Sequence, residues 1–303
     1  MKKGSDDTGN SGTELAKLVG SLAREDGVFD TAWPRLVVSR ISAPLPRQPI
    51  PYQASLCVVV QGKKQIFLGE HIYNYNPLHY LVVPMALPLE LEIAQATPKK
   101  PVLGLGLELD LTMISELLLN IDSPAPPLPV TSHGQPALYV SEISSTFKDA
   151  LCRLLRLLDN PTDMRILGQS IVREILYWAL QSEQVGQLRH LVLQDSCSHR
   201  IASLTRYLNE HYNEMLSIND IARVAGMSTS ALHHKFSEVT SMSPLQYLKK
   251  IRLHNAHTMM MAGGLNASEA GYRVGYTSPS QFSREFKRLF GFPPGQTEKA
   301  MSE

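Results

Sequence analysis

The sequence predicts an α+β fold in two parts: an N-terminal antiparallel β-barrel with covering helices, then an all-α unit of two helix-turn-helix motifs joined by a linker helix. Three observations lead to this prediction. Short apolar runs bounded by Gly, Pro or Asn fill residues 31–110. After about residue 140 the apolar residues recur every three or four positions instead. The last third of the chain also contains a weak internal duplication.

The expected organisation starts with a partly disordered leader over residues 1–30, because "MKKGSDDTGNSGT" has two lysines but no apolar segment typical of a secretion signal. A barrel domain with C-terminal helices is expected over 31–193, a polar linker over 194–199 and the helix-turn-helix domain over 200–303. With 303 residues the chain is long enough for two domains.

Composition excludes several classes of protein. No apolar run is long enough to span a bilayer, so no membrane contact is expected. The three cysteines, Cys57, Cys152 and Cys197, are far apart and form no CxxC pair. This argues against a zinc knuckle and a disulfide framework and favours a reducing cytoplasm. The net charge of +1 conceals an asymmetry: Lys and Arg number 12 against 8 Asp and Glu from His199 onward, but 17 against 20 before it. A moderately basic C-terminal part suits a module that binds a polyanion.

Strand-length segments follow one another in the N-terminal part, which favours an antiparallel barrel or sandwich. In "VQGKKQIFLGE" we expect a hairpin with Gly62 near the first turn and Gly69 near the next. The predicted strands lie within "PRLVVSRISAP", "ASLCVVVQG", "KKQIFLGEHIY", "HYLVVPM", "LELEIAQAT" and "PVLGLGLELD".

Two amphipathic helices are predicted after the proline-rich run "SPAPPLPV", over residues 141–160 and 161–182, with Asn160-Pro161 as their joint. Their leucine-rich faces can cover the barrel, or they can associate with a second copy of the chain. The sequence favours neither alternative.

The duplication aligns "SINDIARVAGMSTSALHHKF" with "NASEAGYRVGYTSPSQFSREF". Each copy has a helix, a tight turn centred on glycine, a capping Ser or Thr and a second helix, the order of a helix-turn-helix motif. One such match is weak because helical hairpins are common, but two in tandem on the basic side of the chain are much stronger. The matching pairs are Ala222 and Gly271 at the helix contact, Gly226 and Gly275 in the turn, Leu232 and Phe282 as anchors, and Phe236 and Phe286.

A single helix is predicted between the two copies, from Pro244 to Gly263-Gly264. Its roughly 19 residues would span about 29 Å. Successive major grooves on one face of B-DNA are about 34 Å apart. A rod of this length can therefore present two recognition helices to neighbouring grooves, especially on bent DNA.

The stretch "VGYTSPSQFSREFKRLFGFPP", with "IARVAGMSTSALHHKF" and "SPLQYLKKIRLHNA" before it, resembles the AraC/XylS family of bacterial transcription regulators over about residues 199–298. Upstream, "ASLCVVVQGKKQIFLGEHIYNYNPLHYLVVPMALPLELEIAQAT" resembles the AraC-type N-terminal regulatory domain, a cupin-like barrel. This resemblance implies that the paired motifs bind promoter DNA. It also implies that the barrel senses a small-molecule effector or forms a homodimer, and that RNA polymerase is a partner.

Carried over residue by residue, the resemblance implies base contacts from both second helices. Arg284 can pair with guanine and Gln281 with adenine. Pro279 stands where polar residues are common and offers only apolar contact, and Ser230 replaces larger residues. The implied base-contacting residues are Ser230, His233, His234, Pro279, Ser280, Gln281 and Arg284. The implied phosphate-contacting residues are Ser228, Lys235, Lys249, Arg252, Ser278, Lys287 and Arg288.

Other candidate sites carry less weight. His71 and His79 lack the clustered pattern of a cupin metal site, so neither a metal nor another cofactor is expected. His254 and His257 are expected at the surface of the linker helix, or one of them as a phosphate contact. Cys57, within an apolar strand, is either a buried, inert thiol or an effector-sensing one. We expect no catalytic residues and no enzyme. The alternative function is a cupin-type small-molecule binding protein or enzyme whose helical C-terminal region mediates protein contacts.

Overall fold

The computed structural model describes residues 8–77, 79–121, 138–182, 197–263 and 265–297. The described strands are β1 (Gly27–Asp30), β2 (Leu36–Ile41), β3 (Leu45–Tyr52), β4 (Ser55–Gln61), β5 (Lys64–Leu68), β6 (His71–Tyr75), β7 (His79–Val83), β8 (Leu87–Ile93), β9 (Val102–Glu108) and β10 (Tyr139–Glu142). The described helices are α1 (Thr8–Leu22), α2 (Leu111–Asn120), α3 (Ser145–Leu157), α4 (Pro161–Ala179), α5 (Cys197–Glu210), α6 (Ile218–Ala225), α7 (Thr229–Thr240), α8 (Pro244–Met261), α9 (Ala267–Arg273) and α10 (Pro279–Phe290), followed by a 3₁₀ turn (Pro294–Gln296).

Two antiparallel sheets form the N-terminal part. Sheet 1 has the strand order β1-β2-β9-β4-β7-β10, and sheet 2 has the order β3-β8-β5-β6. Cys57 and Val59 of sheet 1 pack in one cluster with Ile66 and Leu68 of sheet 2, so this cluster fills the space between the sheets. The predicted α+β fold, with antiparallel strands first and helices after them, is confirmed.

Helices cover the outer face of sheet 1. Leu56, Val58 and Val60 alternate with the inward residues of β4 and pack in a second buried cluster, together with apolar residues of α3 and α4 such as Phe147 and Ile175. The prediction of two amphipathic helices after residue 140 is therefore confirmed, and these helices do cover the sheet. The proline-rich run before them lies outside the described residues.

The segment expected to be a partly disordered leader contains α1, whose Leu15 and Val19 are buried in the same cluster. The expectation of disorder is therefore wrong for the described end of this segment, because apolar residues four positions apart anchor the helix on the barrel. In the predicted linker, residues 194–196 lie outside the described ranges, and residues 197–199 are the first residues of α5.

The predicted hairpin is corrected by the pairing. Strand β4 pairs with β7 and β9 of sheet 1, whereas β5 pairs with β6 and β8 of sheet 2. The chain therefore crosses from one sheet to the other at Gly62, and the true hairpin is β5–β6, with Gly69 in its turn. The sequence signal marked both turns correctly but not which strands they join.

Both helix-turn-helix units are present as predicted. Helix α6 begins with a capping box formed by Ser217 and Asp220, and α9 with one formed by Asn266 and Glu269. Each box starts nine residues before a turn glycine with positive φ, Gly226 at 62° and Gly275 at 91°. Only glycine adopts such angles without strain.

The linker helix α8 joins the two units through separate cores. Tyr247, Leu248 and Ile251 pack with α5, α6 and α7 in the cluster that continues into the space between the sheets. Further along α8, Leu253 and Met260 pack with α9 and α10 in a cluster of their own. The 18 residues of α8 correspond to about 27 Å, close to the predicted length. Within the ranges described above, no helix is long and apolar enough to cross a membrane.

The barrel contacts the helical domain through the edge of sheet 2. The Tyr247 hydroxyl donates a hydrogen bond to the Ala86 carbonyl oxygen at 2.7 Å. Glu90 on β8 lies between two cations, with 3.4 Å from its Oε1 to Lys250 Nζ on α8 and 2.5 Å from its Oε2 to Arg47 Nε on β3. The two domains are thus joined by a buried apolar contact with polar contacts at its margin.

Candidate nucleic-acid interface

The second helix of the first motif, α7, presents a polar face. Ser228 caps this helix, its hydroxyl accepting a hydrogen bond from the Ala231 amide at 3.3 Å. Leu232 and Phe236 hold the opposite face in the core. Three predicted base-contacting residues lie on the exposed face: Ser230, His233 and His234.

A carboxylate already engages part of this face. Lys235 Nζ is 2.9 Å from Glu238 Oε2, and His234 Nδ1 is 3.8 Å from the same oxygen. The predicted phosphate contact of Lys235 therefore requires that its ammonium exchange Glu238 for a phosphate.

The second helix of the second motif, α10, is more open. Ser278 caps it by accepting a hydrogen bond from the Gln281 amide at 3.3 Å, and Pro279 occupies the first turn, where its missing amide costs nothing. Phe282 and Phe286 are buried. The predicted DNA-contacting residues exposed on this helix are Pro279, Ser280, Arg284, Lys287 and Arg288.

Three cations of α10 differ from Lys235 and Lys249, which are paired with carboxylates. In the described parts of the chain, no carboxylate oxygen lies within 4.0 Å of the charged nitrogens of Arg284, Lys287 or Arg288. Their exposed charges have no local partner to displace, so they can meet an anion directly. Arg284 carries a planar set of donors that matches the acceptor edge of guanine.

Glu285, which sequence analysis did not single out, organises the other predicted contacts. Its Oε1 accepts hydrogen bonds from Lys249 Nζ at 3.0 Å and from Gln281 Nε2 at 3.2 Å, and its Oε2 accepts one from the Tyr276 hydroxyl at 2.7 Å. Burial acts to raise the pKa of this carboxyl, but the hydrogen bonds from Tyr276, Lys249 and Gln281 outweigh it and lower the pKa. The i, i+4 spacing of Gln281 and Glu285 was the one signal in the sequence that could have indicated this pairing.

Arg252 has a structural role in this conformation. Its Nε donates to the Tyr212 carbonyl oxygen at 2.7 Å and its Nη2 to the Glu214 carbonyl oxygen at 2.6 Å. These bonds hold the loop after α5 against the turn of the second motif, where Gly275 lies. The phosphate contact of Arg252 remains a prediction, and it requires that the guanidinium leave both carbonyl oxygens.

The histidines of the linker helix are not surface residues as expected. His254 is 5% exposed, and the ring of His257 stacks on that of Phe290 with 4.7 Å between ring centroids. Burial is the main cause that lowers the pKa of both imidazoles, to about 3 for His254. The second motif packs its aromatic residues against α8, which periodicity within α8 could not reveal.

Cys57 is buried between the sheets, as the apolar strand predicted, and its Sγ lies 3.5 Å from Ser55 Oγ. Burial raises the pKa of the thiol, and the opposing effects of the Ser55 hydrogen bond and the Lys64 charge do not cancel that rise. A sensing role for Cys57 remains a prediction. Among the described residues, no three His, Cys, Asp or Glu side chains come together as a set of metal ligands.

Comparison with protein families gives two matches. Residues 32–187 match the N-terminal domain of AraC-type transcriptional regulators, and residues 221–300 match a helix-turn-helix domain. Among curated proteins, the virulence regulon transcriptional activator VirF of Yersinia enterocolitica is 26% identical over 161 residues, which are 52% of this chain and 56% of that protein. The transcriptional regulator ExsA of Pseudomonas aeruginosa is 24% identical over 132 residues, which are 44% of this chain and 47% of that one. The chain thus matches about half the length of these relatives.

Among solved structures, ToxT K231A of Vibrio cholerae without ligand superimposes with a TM-score of 0.57 at 11% identity, covering 88% of this chain and 98% of that one. Wild-type ToxT with a bound unsaturated fatty acid gives a TM-score of 0.56 at 10% identity, covering 88% and 95%. At this identity the likeness shows a shared fold across both domains.

Proposed function

Because the chain belongs to the AraC family of transcriptional regulators, we propose that it binds double-stranded promoter DNA through both helix-turn-helix units and thereby regulates transcription. The observation that carries this proposal is the pair of capped, outward-facing helices α7 and α10 on one linker helix of about 27 Å. A linker helix of that length can present two recognition helices to neighbouring major grooves of moderately bent DNA.

The residues divide into two roles in this proposal. Base edges are contacted from both second helices. The residues are Pro279, Ser280 and Arg284 on α10, and Ser230, His233 and His234 on α7. Lys287 and Arg288 in the last turns of α10 contact phosphates, together with the capping residues Ser228 and Ser278. Three further residues contact DNA only after they leave their carboxylate partners, which adds an exchange step to binding. These are Gln281, which then contacts a base, and Lys249 and Lys235, which then contact phosphates.

The test is a gel-shift assay on the full chain with a pool of random duplexes, followed by sequencing of the bound fraction and a salt titration. We expect one enriched motif and an affinity that falls steeply with salt, since each phosphate contact releases a counterion. A chain that gives no salt-sensitive and no sequence-selective shift would instead fit the alternative, a cupin-type binding protein or enzyme whose helical region contacts other proteins.

We further propose a regulatory role for the N-terminal domain, either by sensing a small molecule or by forming a homodimer. A fatty acid is bound in one of the ToxT structures with this fold, which supports a small-molecule effector as the class of signal. Ile166 and Leu167 of α4 are exposed apolar residues on the helix that also covers the barrel, and this supports a homodimer. In this proposal the protein acts in the cytoplasm, contacts RNA polymerase at the promoter and catalyses no reaction.

A further inference from the structure

Lys64 has an unusual position for a lysine. It is the first residue of β5, only 9% of its surface is exposed, and its Nζ lies 3.4 Å from Ser39 Oγ on β2 of the opposite sheet. Across the part of the chain that the structure describes, no carboxylate oxygen lies within 4.0 Å of this Nζ. A buried ammonium with one weak hydroxyl partner is costly, because the charge has lost most of its hydration.

A cavity of about 870 Å³ opens beside this lysine, a volume in the range of small-molecule sites. Its polar lining comes from the β4–β5 crossing, the end of β6 and the β8–β9 loop. The lining residues that matter here are Lys63, Lys64, Asn74, Tyr75, Asn76 and Lys100. The described lining residues include three lysines and no Asp or Glu, so the cavity has an unbalanced positive charge.

The cavity lies away from the helical domain. At the other end of β5, a Cβ at Gly69 would be 3.2 Å from Ser241 Cβ of the helical domain, whereas the cavity is at the Lys64 end. The space between the sheets is filled close to this end, since Val59, Ile66 and Leu81 are completely buried in one packed cluster. A long alkyl chain would have to displace these side chains to enter the space between the sheets, whereas a compact anion can be held at the three lysines of the lining.

We propose that this cavity binds a small hydrophilic organic anion, with its carboxylate or phosphate group paired to Lys64 Nζ and its hydroxyl groups hydrogen-bonded by the side-chain amide of Asn74. The anion supplies the negative charge that Lys64 lacks, so binding relieves the cost of the buried ammonium. Burial lowers the pKa of the Lys64 amine, while interaction with Cys57 opposes that effect, and a bound anion shifts the amine toward its charged form. That the anion acts as the effector of the regulatory domain rests on the proposed function, whereas its binding in this cavity does not.

The experiment uses the full-length protein and compares its thermal unfolding and calorimetric titration with citrate, malate, glucose 6-phosphate, glucose and decanoate. We expect at least one of the three hydrophilic anions to raise Tm and to bind, while glucose and decanoate do neither. The comparison of glucose 6-phosphate with glucose isolates the charge, and the comparison of citrate with glucose 6-phosphate distinguishes a carboxylate from a phosphate. A protein stabilised by none of the anions, or by decanoate alone, would overturn the proposal.

Two variants show whether the anion binds at this site. Lys64→Met should weaken binding by more than about tenfold, since it removes the buried half of a charge pair. Lys99→Met is the matched control, because Lys99 is an exposed lysine of the β8–β9 loop that does not line the cavity, and it should retain most of the affinity. Equal binding by wild type and Lys64→Met would place the anion elsewhere, for example on the cations of the helical domain, and would contradict the proposal.

A second measurement does not depend on ligand. Without any anion, Lys64→Met should unfold at the same Tm as wild type or above it, because a buried charge without a carboxylate partner is removed. A marked loss of stability would show that Lys64 is already compensated in the free protein, and it would contradict the proposal.

DNA binding by the same variants without anion is measured separately. Its failure in every variant would refute the proposed function and leave the anion site in place.

Discussion

At the scale of single residues, the cations of the helical domain differ in what they already contact. Lys249 and Lys235 are held by carboxylates and Arg252 by two carbonyl oxygens. Arg284 and Lys287 have no carboxylate partner among the described residues, yet they lie three positions apart on one helix. A charge that is free before binding contributes its full interaction with DNA, whereas a paired charge contributes only the difference between two partners.

The first prediction separates base reading from phosphate binding. Arg284→Ala should relax the preference at one base pair at a cost of about 1–3 kcal/mol. Lys287→Ala should weaken binding to all sequences alike and reduce the salt dependence by roughly one unit. Selection from randomised duplexes and salt titrations measure the two effects. If Arg284→Ala selected the same preferred sequence as wild type, the base-reading role would be wrong.

The second prediction concerns the pH dependence of folding at His254. Its Nε2 is buried without a hydrogen-bond partner among the described residues, and burial, with the charges of Lys250 and His257, lowers its pKa to about 3. Since the unfolded histidine titrates near pH 6.5, the unfolded state binds a proton first as the pH falls. The native state keeps its full stability above about pH 6.5 and loses about 2 kcal/mol by pH 5 through this group.

His254→Leu removes the titrating group and should stabilise the protein relative to wild type by an amount that grows by about 2 kcal/mol between pH 7 and pH 5. Urea unfolding at several pH values measures this difference. Met260→Leu, at a buried methionine of the same helix, serves as the control, because it changes no titratable group and should leave the pH dependence as in the wild type. A stability difference between His254→Leu and wild type that stays constant with pH would contradict the assignment.

At the scale of elements, the two motifs share one plan but differ in how tightly their turns are packed. A Cβ at Gly226 would meet nothing within 4 Å, whereas a Cβ at Gly275 would lie 2.6 Å from the Asn213 carbonyl oxygen. The second turn is pressed against the loop that Arg252 holds, so its conformation depends on a contact from outside the motif. The first turn depends on its own backbone angles alone.

The third prediction follows from this difference. Gly226→Ala should destabilise the protein by about 1 kcal/mol, the cost of a left-handed conformation for alanine. Gly275→Ala should cost roughly 3 kcal/mol or more, because the methyl group must also displace a backbone carbonyl. Guanidinium unfolding of the full chain measures both. Equal losses for the two variants would show that the close approach at Gly275 has no energetic consequence.

At the scale of the whole molecule, the barrel and the first motif share a continuous buried cluster, whereas the second motif has a core of its own. Tyr247 illustrates the shared region, since its hydroxyl accepts a bond from Asn209 within the helical domain and donates one to Ala86 of the barrel. The barrel is thus positioned to influence the first motif and the linker helix more directly than the second motif.

The fourth prediction tests whether the helical domain is a module. A fragment that begins near Cys197 should fold and bind DNA alone, because it keeps the residues of α5, α6 and α8 that share a buried cluster with Leu232 and Phe236 and loses only the barrel residues of that cluster. The lost bond to Ala86 can be replaced by water at the exposed surface. Circular dichroism and gel shifts measure the result, and an unfolded spectrum would contradict this domain boundary.

The fifth prediction concerns the homodimer. Ile166 is 66% exposed on α4, and Leu119 on the neighbouring helix α2 is also exposed. Ile166→Glu should convert a dimer to a monomer and weaken DNA binding, because two linked sites gain avidity. Ile72→Glu, at an isoleucine that is 56% exposed on β6, is the matched control. Light scattering measures the mass, and a monomeric wild type, or an unchanged dimer in Ile166→Glu, would refute this interface.

The sequence by itself determined the helical domain almost completely. Capping residues, turn glycines and apolar anchors are local signals, so the duplication predicted both motifs and the buried Leu232, Phe236, Phe282 and Phe286. The central strands were also predictable, because strands with neighbours on both sides carry continuous apolar runs. The strands that were missed, β1, β3 and β10, all lie at sheet edges, where one neighbour and, in β3, three prolines leave a weak pattern.

Only the tertiary structure decided which groups meet across elements. Lys64 is seven residues from Cys57 in the chain and lies on the other sheet, yet its charge acts to lower the pKa of the Cys57 thiol. No residue within "SLCVVVQ" could indicate this interaction. Glu285 accepts hydrogen bonds from Lys249, Gln281 and Tyr276, which lie on three different elements. Arg252 donates to a carbonyl oxygen in a loop about 40 residues earlier in the chain. Side-chain pairing of this kind depends on how helices and sheets pack, and periodicity records only which face of each element is buried.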